Sequence, residues 1–115
     1  MELPYRPAAE FELRVADVGL VSRRRWEGID PEDNLRGAPE LVIEVRSPWN
    51  TQRQLQELAA LCLANGTIEF WVVDTEKKSV SVVRREGAAM VYGLGSNTPL
   101  SAFGGTDLAV DEIFA

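Results

Sequence analysis

Two carboxylates sit inside apolar stretches of this chain. Asp17 interrupts Phe11-Glu-Leu-Arg-Val-Ala-Asp-Val-Gly-Leu-Val21, and Glu44 interrupts Leu41-Val-Ile-Glu-Val45. Residues two apart in a strand share a face, so a single strand would put Asp17 with Phe11, Leu13, Val15 and Val21. Glu44 has apolar neighbours on both sides, as in a central strand covered on both faces. A buried carboxylate without a partner costs several kcal/mol and tends to take up a proton. Two of them call for a compensating cation: a shared divalent metal or a structural ion pair, of which the ion pair is the commoner solution.

If the two strands pair, Asp17 and Glu44 approach across adjacent positions. Such a pair suits a hard cation such as magnesium, with water, backbone carbonyl and substrate phosphate as its other ligands. A metal held there polarises phosphate and activates water.

Composition narrows the chemistry. Histidine is absent, which excludes histidine triads and the usual zinc sites. The single cysteine, Cys62, allows no internal disulfide and fits a reducing cytoplasm. A net charge of −6 argues against broad electrostatic binding of nucleic acid. There is no apolar run of membrane-spanning length and no signal-peptide pattern, so no membrane association is expected. At 115 residues one domain, 1–115, is expected.

The elements that must position the acids can be read in turn. Pro4 and Pro7 predict an extended, irregular start. A strand follows from about Phe11 to Val21, then a long exposed loop from Ser22 to Pro39, perforated by glycine and proline, with room for one helical turn. The second strand is Leu41–Arg46. A helix begins near Asn50 or Thr51, where Thr51 and Gln54 have capping-box spacing, and buries Leu55, Leu58, Ala59 and Cys62 along one stripe. Asn65-Gly66 stops it. Ile68–Asp74 reads as a buried strand, Thr75–Lys78 as a turn, Ser79–Arg84 and Ala88–Tyr92 as returning strands. Gly93–Pro99 and Gly104-Gly105 read as loops, and Asp111–Phe114 as a helical turn that tucks Ile113 and Phe114 into the core. This order gives a mixed α/β domain with one principal helix.

Three segments carry a family resemblance: Val15-Ala-Asp-Val-Gly-Leu-Val21, Gly37-Ala-Pro-Glu-Leu-Val-Ile-Glu-Val-Arg-Ser-Pro48 and Ile68-Glu-Phe-Trp-Val-Val-Asp74. They resemble the Uma-two family of putative restriction endonucleases, which have the PD-(D/E)xK restriction-endonuclease-like fold. The resemblance implies α/β architecture, a mixed β-sheet with one principal α-helix, and a metal-dependent phosphodiesterase core. Asp17 and Glu44 would hold magnesium or manganese, the carbonyl of Val45 would be a further ligand, and nucleic acid would be the substrate, with the choice between DNA and RNA left open. The lysine that usually completes such a site is missing at both of its usual places, which here hold Arg46 and Leu58. Arginine stays protonated, so Arg46 can stabilise charge but is a poor base. Gln54, one turn before Leu58, could orient a water. Related chains also carry a helix and hairpin ahead of the aspartate, so the N-terminal part of the family fold is expected to be missing. Glu10 or Glu12 could substitute for the acid found there, but alternation puts both on the face opposite Asp17.

Each of these roles has a plainer counterpart. Arg46 could neutralise Glu44, two residues away. Arg23-Arg-Arg-Trp26 could grip phosphates, but a solvated loop balanced by Glu27, Asp30, Glu32 and Asp33 is preferred. Trp49 could stack on a base, but a lid packed over the helix start is preferred. Trp71 is core, Cys62 inert packing, and Asp74 closes a turn. The reading is a metal-dependent nuclease with Asp17, Glu44, Arg46 and Gln54 as its machinery. The alternative is a catalytically degenerate homodimeric interaction module, because a missing cover would leave an apolar face or edge for a second copy.

Overall fold

The computed structural model describes residues 3–6, 14–28, 35–86, 89–100 and 106–115. In chain order the elements are β1 (Leu3–Arg6), β2 (Arg14–Ala16), β3 (Val18–Leu20), α1 (Arg23–Glu27), β4 (Leu35–Arg36), β5 (Leu41–Val45), α2 (Gln52–Ala64), β6 (Glu69–Asp74), β7 (Ser79–Arg84), β8 (Met90–Tyr92), β9 (Asn97–Leu100), β10 (Thr106–Ala109) and α3 (Val110–Ile113). The central sheet has the order β3-β5-β6-β7-β8. Its only parallel pair is β5 with β6, and the other neighbours run antiparallel.

A parallel pair needs a crossover, and α2 supplies it. Thr51 and Gln54 make the expected capping box: the Gln54 N–H donates to Thr51 Oγ1 at 3.1 Å, and the Thr51 N–H donates to Gln54 Oε1 at 2.9 Å. Removing the Thr51 hydroxyl would cost about 1 kcal/mol. Leu55, Ala59, Cys62 and Leu63 form the buried stripe. The helix ends at Asn65, and Gly66 follows with φ +115°, a conformation that favours glycine.

The near-continuous apolar runs of β5 and β6 are buried on both faces, as central strands require. Alternation divides them into two cores. Val42 and Phe70 pack with Ala38, Ala59 and Cys62 beneath α2. Leu41, Trp71 and Val73 pack with Val80 and Val82 on the opposite face, where Leu100, Leu108, Ile113 and Phe114 close over them. The predicted tucking of Ile113 and Phe114 is therefore observed.

Three expectations are corrected. The strand expected from Phe11 to Val21 is, in its described part, two strands in different sheets: β2 pairs with β1, and β3 pairs with β5. The chain bends at Asp17, so alternation cannot be carried across it, and Phe11–Leu13 lie outside the described residues. Residues Leu3–Arg6 are a strand rather than irregular. The loop expected over Gly93–Pro99 gives way at Asn97 to β9, which pairs with β10; Pro99 is tolerated because this two-stranded ladder leaves it at an edge. Within Ser22–Pro39 the structure has α1 and β4, while 29–34, Gly104 and Gly105 lie outside the described residues.

Candidate active site at the carboxyl ends of the parallel strands

In open α/β sheets, ligands gather beyond the carboxyl ends of parallel strands. Glu44 and Val45 close β5, Asp74 closes β6, and α2 begins seven residues after Val45. Asp17 joins them from the bend ahead of β3. The β3–β5 register pairs Val18 with Ile43, and one more step sets Asp17 opposite Glu44.

The two acids differ in environment. Glu44 is 7% exposed, as expected, on the α2 side of the sheet with Val42. Asp17 was expected to be buried and is instead exposed, because the bend lifts it out of the ladder. Its Oδ2 accepts the Val45 N–H at 2.8 Å, which fixes the carboxylate beside Glu44. The donor set fits a magnesium-type ion: one carboxylate is exposed and held by an amide, and a second follows at the opposing position of the β3–β5 register, both of them hard oxygen donors. Among the described residues no cluster of three or more His, Cys, Asp or Glu side chains forms. Glu10 and Glu12 lie outside the described residues.

Arg46 follows on the same edge. Its N–H donates to the Val73 carbonyl at 2.8 Å, and its guanidinium lies 3.7 Å from Asp74 Oδ2. The suggested neutralisation of Glu44 by Arg46 is thus replaced by a bridge to Asp74. Asp74 also accepts the N–H groups of Glu76 and Lys77, each at 3.0 Å, closing the β6–β7 turn as expected. The Lys77 amide, then that of Glu76, and the nearby Arg46 and Lys77 charges hold the Asp74 carboxyl below its ordinary value against the opposing effect of burial.

Gln54 is placed in the capping box, with its Oε1 committed to Thr51. Leu58, one of the two places where the resemblance implies a lysine, packs against the core beneath α2. Two residues were misread from the sequence. Trp49 is 90% exposed, not a lid. Arg25 is not a solvated charge: it sits in α1, donates to the Ala38 carbonyl at 2.8 Å and pairs with Glu40. The Gly37-Ala-Pro-Glu sequence gave a signal for this. Gly37 has φ +75° and a Cβ there would meet the Asn65 carbonyl at 3.1 Å and the Arg25 guanidinium at 3.3 Å, so the glycine makes room for the arginine.

Among the described residues no helix is long and apolar enough to cross a membrane. The chain is similar to a crystal structure of a putative nuclease from Anabaena variabilis, with a TM-score of 0.80 and 22% identity over 99% of this chain and 65% of that one. It therefore spans slightly less than two thirds of that protein's length. At this identity the likeness establishes the fold, a mixed five-stranded sheet with one main helix. No curated protein matches. The Uma2 family model, described as a putative restriction endonuclease, matches residues 2–111. A match of that extent, spanning Asp17, Glu44 and Asp74, places this chain in the Uma2 family.

Proposed function

We propose that the chain is a metal-dependent nuclease that hydrolyses phosphodiester bonds of DNA, with magnesium or manganese held by Asp17, Glu44 and the Val45 carbonyl. The observation that carries this reading is the Asp17 carboxylate fixed on the Val45 amide, one residue from buried Glu44. Bound there, the ion would supply Lewis-acid polarisation of phosphate and a more acidic water. Arg46 provides a fixed positive charge for the phosphate, and Asp74 orients it. Arg46 remains protonated and Leu58 cannot accept a proton, so neither replaces the base that a lysine supplies. Gln54 contributes by fixing the start of α2, and its free amide group is the part left to orient a water.

Calorimetric titration of manganese tests the reading, with Asp17→Ala and Glu44→Ala beside the parent. Saturable one-site binding lost in both variants, with DNA cleavage by the parent, is the expected result. Absence of manganese binding by the parent, with and without DNA, would sink it.

A second reading, a homodimeric interaction module, has its own observation. Among the described residues β8 pairs only with β7, and it exposes Met90 and Val91, with Leu94 just beyond. No charged residue occurs between Glu86 and Asp107. Edge strands are normally protected by charge or proline, and a neutral patch is where a chain of charge −6 meets its own copy with least repulsion. A monomer in sedimentation at micromolar concentration would remove this reading. Dimerisation and cleavage are compatible.

A further inference from the structure

Trp49 is the most exposed large apolar side chain among the described residues, at 90%, yet the backbone that carries it is fastened. The Ser47 N–H donates to Asn50 Oδ1 at 2.9 Å, the Asn50 N–H to the Ser47 carbonyl at 3.2 Å, and the Trp49 N–H to Ser47 Oγ at 3.3 Å. The Ser47 hydroxyl also meets Asn50 Oδ1, and Pro48 fixes its own φ. An indole held out on a rigid turn loses little freedom when it binds something flat.

The surroundings say what that is. The same turn walls a cavity of about 370 Å³ whose far side is the β6–β7 turn and which contains Arg46 and Lys77. Asp74 and Glu76 also line it, but the Asp74 carboxylate is already engaged by two backbone amides and by Arg46. Trp49 stands outside the lining, on the turn whose Ser47, Pro48 and Asn50 wall the cavity, and an exposed aromatic next to a cleft that holds Arg46 and Lys77 can offer a strand one base face and contacts to its phosphates. A second copy of this chain is the weaker fit. The neutral apolar patch lies at β8, three strands from β5 in the sheet, whereas Trp49 is carried by the turn that follows β5.

We infer that Trp49 is a substrate-binding residue that stacks on an unpaired base, so that the site takes nucleic acid with single-stranded character in preference to fully paired duplex. This rests on the nuclease reading and names its substrate class. The backbone of the strand would follow Arg46 and Lys77, with the indole outside them setting where an unstacked base can lie.

The test is fluorescence anisotropy of a labelled short oligodeoxyadenylate, and of a blunt hairpin duplex, with magnesium present and phosphorothioate linkages to slow cleavage. Parent, Trp49→Ala and Trp49→Phe are compared. Trp49→Ala is expected to weaken single-strand binding about tenfold, within the range for one base–aromatic stack. Trp49→Phe should recover most of that loss, and duplex binding should scarcely change. Equal single-strand affinity for Trp49→Ala and parent, with cleavage intact, would overturn the stacking role and leave the nuclease reading standing. Failure of the parent to bind either probe would overturn both. A change of oligomeric state in Trp49→Ala, seen by sedimentation without any change in affinity, would assign the indole to a protein interface instead.

Discussion

The two ends of the β5–β6 pair use the same residue types for opposite purposes. At the amino ends each carboxylate has its own guanidinium. Glu69, fully buried, receives two bonds from Arg84, at 3.0 and 2.7 Å. Glu40 pairs with Arg25, and Arg85 donates to the Leu63 carbonyl near the end of α2. At the carboxyl ends, Asp17 is exposed and fixed by an amide, and the guanidinium of Arg46 stands 3.7 Å from Asp74. A closed bidentate pair can only hold the fold together, whereas a carboxylate oriented by a backbone N–H keeps its charge available for a ligand. The positive end of the α2 dipole also lies on this second side, where it would favour an anion such as phosphate. The difference gives stability to one end and leaves the other to the proposed chemistry.

The sharpest way to break this division is to exchange the effects of mutation. Glu69→Ala removes a fully buried carboxylate and leaves Arg84, whose side chain is 35% exposed, without that acceptor. It should cost roughly 1–3 kcal/mol, read as a lowered urea midpoint, while metal binding by the folded fraction survives. Asp17→Asn keeps an oxygen for the Val45 amide and should change stability by less than about 1 kcal/mol, yet abolish manganese binding. If Asp17→Asn unfolds the protein, or Glu69→Ala leaves it unmoved, the division fails.

The next effect sharpens the chemical end. Leu58→Lys restores a titratable group to the helix position where the resemblance implies a lysine. A placed general base contributes about 10²–10⁴-fold, and even the lower part of that range would be plain in a plasmid-nicking assay. Leu58 is only partly buried, so the longer side chain can run along the core and send its ammonium toward Glu44, at a stability cost of roughly 1–3 kcal/mol. Unchanged cleavage in a folded Leu58→Lys protein would mean that this helix face does not look into the reaction.

These contrasts were unevenly legible in the sequence. The β5–α2–β6 unit was read almost residue for residue, because continuous apolar runs, a capping box and Asn65-Gly66 are all local signals. Glu44 was found through the cost of a charge in such a run. Asp17 was found too, but its burial was misjudged, since alternation says nothing about a bend that hands the chain from one sheet to another. The Glu69–Arg84 pair was missed although it was within reach. The turn at Thr75–Lys78 sets Asp74 opposite Ser79, and counting back along both strands sets Glu69 opposite Arg84. Arg25 with Glu40 depends on how α1 folds back over the chain, and no spacing rule reports that.

A smaller effect concerns Arg46. If its charge serves phosphate, Arg46→Met should lower cleavage about tenfold or more while metal binding persists, whereas its exposed bridge to Asp74 contributes at most about 1 kcal/mol to stability. Loss of cleavage accompanied by loss of metal would instead make Arg46 a prop of the carboxylate site. Arg46→Lys separates charge from fork geometry: recovery by lysine would mean that a point charge suffices.

The smallest effect is a pH dependence of Asp74. Its carboxyl is held below the ordinary value in the folded protein, first by the Lys77 amide. The unfolded chain therefore takes up this proton more readily, at an ordinary pKa near 3.9, and stability falls with pH in that region. The contribution is fully present above the unfolded value and is lost as pH falls through the lower folded one. Asp74→Asn retains an oxygen for the two turn amides and removes only the charge. The stability gap between parent and Asp74→Asn should be constant near neutrality and should close below about pH 4. Urea unfolding of both proteins across the acid range measures it. A gap that persists in acid would locate the role of Asp74 in the shape of the turn. One that closes would tie it to the charge that holds Arg46 at the edge of the candidate site.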